Sequence, residues 1–142
     1  TFVLVETTRK KALFLNEVVE ALALENVTVL ADRAEQLASD DGGFRSTADV
    51  VVSRAVGAMP TLLELTVPFL KIGGTFLAVK GQKAEEEVEQ ARKASSLLGC
   101  TFNAMTRTKT GTIVSYRKTK KTPKAYPRPA GEPKRMPLGK GG

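Results

Sequence analysis

Short apolar runs rich in β-branched residues alternate with amphipathic stretches along the first hundred residues, and this alternation constrains the fold most. Phe2-Val3-Leu4-Val5, Val27-Thr28-Val29-Leu30, Asp49-Val50-Val51-Val52-Ser53 and Thr75 to Lys80 each have the length and content of a strand, the first one buried on both faces. Between the first two, Leu13, Leu15, Val18, Val19 and Leu22 repeat with helical spacing over Arg9 to Leu24, with Thr7 and Thr8 placed to cap. A short helical turn is expected from Ala34 to Ala38. Pro60 suits the first turn of a helix running to about Leu70, which Pro68 shortens. Gly73-Gly74 reads as a turn, and Lys83 to Leu98 as one helix with an acidic face. Thr101 to Arg107 and Thr112 to Tyr116, divided by Lys109-Thr110-Gly111, read as an antiparallel pair. The order β-α-β-α-β-α-β-β predicts an α/β sheet with parallel crossovers.

In such sheets a ligand lies beyond the carboxyl ends of the strands. The residues at those ends are Glu6, Asp32 with Arg33, Arg54 and Lys80. An acid at such an end accepts hydrogen bonds from ribose hydroxyls, and Glu6 fits that role with Thr7 and Thr8 beside it. By itself the feature suits NAD enzymes and S-adenosylmethionine (SAM) enzymes equally. Histidine is absent and Cys100 is the one cysteine. This excludes Ser-His-Asp and Cys-His catalysis, histidine metal sites, structural zinc and an internal disulfide, so no metal is expected and a reducing compartment fits. No apolar run approaches the ~20 residues that span a bilayer, and no membrane partner is expected.

The charge is confined to one end. From Arg117 onward there are nine Lys/Arg and one acid, Glu132, whereas the preceding 116 residues hold thirteen Lys/Arg and fourteen Asp/Glu. Within this end, Thr122 to Leu138 carries five prolines, which argue against a packed helix or strand. The reading is a near-neutral domain over residues 1–117 with an extended basic arm over 118–142. Such an arm suits a polyanion, and the interleaved Tyr126 and Arg128, both able to stack on bases, favour RNA. The alternative is that Tyr126 and the prolines pack back on the body.

Glu6-Thr7-Thr8-Arg9-Lys10-Lys11 with Phe14-Leu15, then Asn26 to Val29, Asp32-Arg33-Ala34-Glu35, Asp49 to Val51, Ser53-Arg54-Ala55-Val56, Phe76 to Gly81, and the tail K-x-Y-P-R-x-x-G-x-P-x-x-x-P-L closely resemble the family of bacterial and organellar ribosomal small-subunit RNA methyltransferases G. The resemblance covers nearly the whole chain. It implies a Rossmann-like class I SAM-dependent methyltransferase fold and methyl transfer from SAM to N7 of a guanine in 16S-type rRNA. It further implies a cytoplasmic or organellar enzyme, monomeric at full length, with small-subunit rRNA or the ribosomal particle as partner. By the same resemblance Glu6, Thr7 and Thr8 would hold the ribose and the adenosine edge, and Ala34 and Glu35 the adenine, largely through backbone. Arg54 would line the SAM and target-base pocket. Arg33 and Lys80 would face the RNA or the guanine, with Arg54 and Lys80 as the catalytic pair. Lys124, Tyr126 and Arg128 would lie along the RNA backbone.

Two departures from the family are expected to matter. Its glycine-rich loop after the first strand is missing, because this sequence begins at the strand corresponding to the second, so a gap is expected in the centre of the sheet. An arginine that usually opens the last strand is replaced by Lys109-Thr110-Gly111-Thr112, or displaced to Arg107. The chemistry suits the composition, since guanine N7 carries a free lone pair and needs no base, which leaves positioning and electrostatics as the sources of rate. Two alternatives remain: a non-catalytic rRNA-binding module that binds through its tail, and an NAD oxidoreductase, for which no G-x-G-x-x-G is present.

Overall fold

The strands divide into two sheets. In the computed structural model, which describes residues 1–54 and 57–139, β1 (Phe2–Val5) pairs in parallel with β2 (Val27–Leu30). Ala55 and Val56 of the family motif, and Lys140 of the basic end, lie outside the described residues. The second sheet places β3 (Ala48–Arg54), β4 (Leu70–Lys80), β6 (Thr112–Lys118) and β5 (Cys100–Arg107) side by side in that order. β3 and β4 are parallel, and β6 is antiparallel to β4 and β5. Among the described residues, β1 and β3 each have one strand partner, so each presents an unpaired edge. This agrees with the expected gap.

The helices are α1 (Arg9–Ala21), α2 (Ala34–Leu37), α3 (Met59–Thr66), α4 (Ala84–Gln90), α5 (Arg92–Leu98) and α6 (Glu132–Arg135). Pro60 does sit in the first turn of α3, and Pro68 tightens its end into a 3-10 turn, Val67–Phe69. The single helix expected over 83–98 breaks at Ala91, which is fully buried. Gly73-Gly74 is no turn but a bulge inside β4: Ala48 lies opposite Leu70, yet Val50 already meets Thr75. Gly73 holds φ +91°, and a Cβ on Gly74 would stand 2.9 Å from the Lys71 carbonyl oxygen.

The core lies on one face of the larger sheet. Phe76, Ala78, Val114 and Tyr116 meet Met59, Leu63 and Val67 from the α3 side and Ala84, Ala94 and Leu98 from α4 and α5, all buried. Full burial of each large side chain stabilises by about 1.5–3 kcal/mol. The opposite face is bare. Val50 and Val52 are 54% and 63% exposed, and Phe2 in β1 is 62% exposed. The expectation that the first strand is buried on both faces is therefore not met: α1 lies beside Phe2 and Leu4 without closing on them, and all four residues of β1 stay exposed.

The arm expected to stand off the body is packed on it. Thr122, Pro133 and Leu138 are buried, Leu138 within the core cluster, and Tyr126 packs against that cluster. The proposed boundary at 117/118 falls inside β6. Prolines remove backbone donors but leave the carbonyls and rings free to dock, and Pro133 is tolerated at the start of the one-turn α6.

Candidate active site

β1 and β2 end side by side at Val5 and Leu30, and β3 and β4 end together, with Arg54 opposite Val79. The Glu6 N–H donates to the Leu30 carbonyl at 3.0 Å, so the ladder continues one residue past β1 and fixes this backbone. The Glu6 carboxylate is half-buried and makes no hydrogen bond or ion pair among the described residues. Thr7 and Thr8 are exposed. Thr8 is the N-cap of α1; its carbonyl accepts the Ala12 N–H at 3.0 Å while its hydroxyl makes no capping bond. A free carboxylate and two free hydroxyls thus stand at one strand end.

Beyond β2, the Asp32 carboxylate accepts the Arg33 N–H at 2.7 Å, turning the chain into α2. Ala34 opens that helix, where first-turn amides have no intrahelical partner. Arg33 is exposed, with Nη1 3.8 Å from the Glu35 carboxylate. Glu35 turns inward: only 9% of its side chain is exposed, and Oε2 accepts the Gly131 N–H at 2.8 Å. It therefore holds the tail with its side chain and has only its backbone to offer a ligand.

Arg54 closes β3 and is exposed. Lys80 does not face outward as expected. Its side chain is 4% exposed, and Nζ lies 2.6 Å from Glu87 Oε1 and donates to the Gly57 carbonyl at 2.6 Å. An ammonium removed from water requires such partners. Lys80 is thus a pin between Gly57 and Glu87, not a group free to meet RNA or guanine.

The tail residues divide likewise. Lys124 is exposed. Tyr126 packs on the core instead of standing free for a base. Arg128 is bound to Glu64, a fully buried carboxylate in α3, through Nε, through Nη2 at 2.8 Å and through its backbone N–H at 2.7 Å. The hydrogen bond to Glu64 raises the guanidinium above its ordinary value. Sequence reasoning missed Glu64, although one acid inside the apolar run Met59 to Thr66 is the pattern of a buried acid needing a cation. It also missed Arg45, whose guanidinium donates to carbonyls of Ala38 and of the tail and for which no local signal exists.

Two hollows lie elsewhere. One of about 470 Å³ runs between β1, β2 and α1, lined by Phe2, Leu4, Leu15 and Val19. The other, about 380 Å³, lies by Gly99, Thr101, Phe102, Thr119 and Lys120, at the end of β6 opposite the strand ends above. Among the described residues, no cluster of His, Cys, Asp or Glu is arranged to hold a metal, and no helix is long and apolar enough to cross a membrane.

Known proteins share the fold and, more specifically, the sequence. Residues 1–115 match the family model for rRNA small subunit methyltransferase G. A ribosomal RNA small subunit methyltransferase G from Desulfitobacterium hafniense is 43% identical over 141 residues, covering 95% of this chain and 59% of that protein, so the chain spans somewhat over half its relative's length. Among solved structures, M. jannaschii TYW2 in complex with AdoMet superposes with a TM-score of 0.60 at 17% identity, over 81% of this chain and 55% of that one. A SAM-dependent methyltransferase from Aquifex aeolicus gives 0.59 at 14% identity, over 82% and 68%. These structures establish the Rossmann-like methyltransferase fold, and the sequence match is more specific: the chain belongs to the rRNA small subunit methyltransferase G family.

Proposed function

We propose that the strand ends of β1 to β3 form part of a site for methyl transfer from SAM to N7 of a guanine in small-subunit rRNA, with that rRNA or the ribosomal particle as partner. The observation that carries this reading is the unpartnered Glu6 carboxylate beside the free Thr7 and Thr8 hydroxyls, in a chain of this family. The donor set fits SAM. Glu6 accepts from the two ribose hydroxyls, Thr7 and Thr8 line the adenosine edge, and the backbone of Ala34 and Glu35 meets the adenine. Bound there, SAM supplies an electrophilic methyl group.

The protein's remaining task is to hold the guanine in line with that methyl. Arg54, exposed at the next strand end, would donate to guanine O6 and so turn N7 towards the methyl; because the base becomes cationic as N7 is methylated and sulfur becomes neutral, this bond serves recognition and orientation. Lys80 acts through the chain it pins. Arg33 at the rim and the exposed Lys120, Lys121 and Lys124 offer cations to phosphates.

Calorimetric titration with SAM tests the reading. The chain should bind SAM, and Glu6→Ala should weaken binding by about 1–3 kcal/mol, the usual scale for a charge-assisted partner. Equal affinity in the variant removes Glu6 from the site. RNA binding without any SAM binding would favour the non-catalytic alternative.

A further inference from the structure

The tail crosses the helix layer and returns to the segment assigned to adenine. It leaves β6 at the amino ends of β3 and β4, since Arg117 lies opposite Thr75. By Gly131 it has reached Glu35, just past the carboxyl end of β2. Arg45 fixes the start of this course. Its Nη1 donates to the carbonyls of Ala38 at 3.0 Å and Tyr126 at 2.7 Å, and its Nη2 to those of Thr122 at 2.9 Å and Pro123 at 3.1 Å. One guanidinium thus joins the residue closing α2 to three carbonyls of the tail. Arg128 on Glu64, and the Thr61 hydroxyl donating to the Pro133 carbonyl at 2.9 Å, fix the remainder.

α2 therefore touches the tail at both ends, through Glu35 and through Ala38. A four-residue helix is far too short to hold itself, so its position is set by what it is bonded to. We infer that Arg45 is a positioning residue for the cofactor site: by tying α2 to the tail it sets where Ala34 and Glu35 present their backbone to the adenine. The inference rests on the SAM reading above, and the test separates the two.

Arg45→Met keeps the stem and removes the donors, whereas Arg45→Lys keeps the charge and some of the bonds. Amide exchange is followed in the whole chain at residues 34–38, at 122–131 and in β4 at 76–78, and SAM and adenosine are titrated by calorimetry. Arg45→Met should speed exchange at Leu37, Ala38 and the tail at least tenfold while β4 keeps its protection. SAM and adenosine should weaken together by fivefold or more, and Arg45→Lys should fall between. Unchanged exchange in α2, or loss spread equally over β4, overturns the inference, as does equal SAM affinity in wild type and Arg45→Met. A wild-type chain that binds neither ligand refutes the SAM reading, and the exchange pattern then decides alone whether α2 depends on Arg45.

Discussion

Both carboxylate oxygens of Glu64, 0% exposed in α3, are held by Arg128 of the tail, sixty-four residues away. The contact includes Nη2 at 2.8 Å, and Nη2 also donates to the Met136 carbonyl at 2.6 Å. Removing one partner of a buried pair strands the other. Arg128→Met should therefore lower stability by about 3–5 kcal/mol in urea unfolding, while the double variant Glu64→Met/Arg128→Met recovers much of that loss. If Arg128→Met is neutral, the pair does not hold the tail.

Lys80 invites a sharper contrast between its two roles. As a phosphate contact, its loss would flatten the plot of log RNA affinity against log salt by roughly 0.7–0.9. As a pin on Glu87 and Gly57, its loss should leave that slope alone and lower stability by about 2–4 kcal/mol, since a largely buried carboxylate and carbonyl lose their donor. Lys80→Met, measured by salt-dependent filter binding and by thermal unfolding, is expected to show the second pattern.

Three buried groups act on the alkaline limb of stability: Lys118, Cys100 and, above its ordinary 10.0, the Tyr116 phenol, which burial pushes up. Burial, with the Arg45 charge nearby, pulls the Lys118 ammonium down to about 8, where Nζ donates to the Leu70 carbonyl at 2.7 Å. Between that value and its ordinary 10.5 the unfolded chain binds the proton more tightly, so this group makes stability rise with pH across that window. Burial pushes the Cys100 thiol up to about 12, against the pull of the Lys118 charge. Above its ordinary 9.0 the unfolded thiol ionises first, so this group makes stability fall. Urea midpoints from pH 7 to 10, below the ordinary value of the Tyr116 phenol, should therefore lose their rising component in Lys118→Met and their falling component in Cys100→Ala.

The unpaired edges of β1 and β3 carry exposed apolar residues, Phe2, Val50 and Val52 among them. Such edges invite pairing with another strand. The chain by itself should self-associate, giving a mass by light scattering that rises with concentration. Val50→Lys with Val52→Lys should suppress this, and a concentration-independent monomer in wild type would show that these edges are blunted.

Much of the architecture was legible in residue patterns, because strands and helices of this chain follow hydrophobic period. The place of Glu6, Thr7 and Thr8 at a strand end was legible for the same reason: a polar group ending an apolar strand lies at the sheet's rim. Lys80 ends a strand in the same way, but whether its ammonium points outward or down depends on Glu87, which arrives on the next helix. Gly73-Gly74 looked like a turn because a bulge uses the same backbone freedom. The tail misled most. Its prolines argue truthfully against regular structure, yet the docking depends on Arg45, Glu35 and Glu64, and pairings across such separations leave no local periodicity.

The course of the tail also sets an order in time. The bonds from Glu35 to Gly131 and from Arg45 to Thr122 join residues 96 and 77 positions apart. At about 5–20 residues made per second, the ribosome delivers the tail roughly 4–20 s after α2 has emerged. Until then α2 lacks its brace, and the Glu64 carboxylate has no guanidinium. A growing chain must therefore wait with this segment unfinished, and synthesis that stopped between Lys118 and Thr122 would leave every sheet strand made but α2 without its brace.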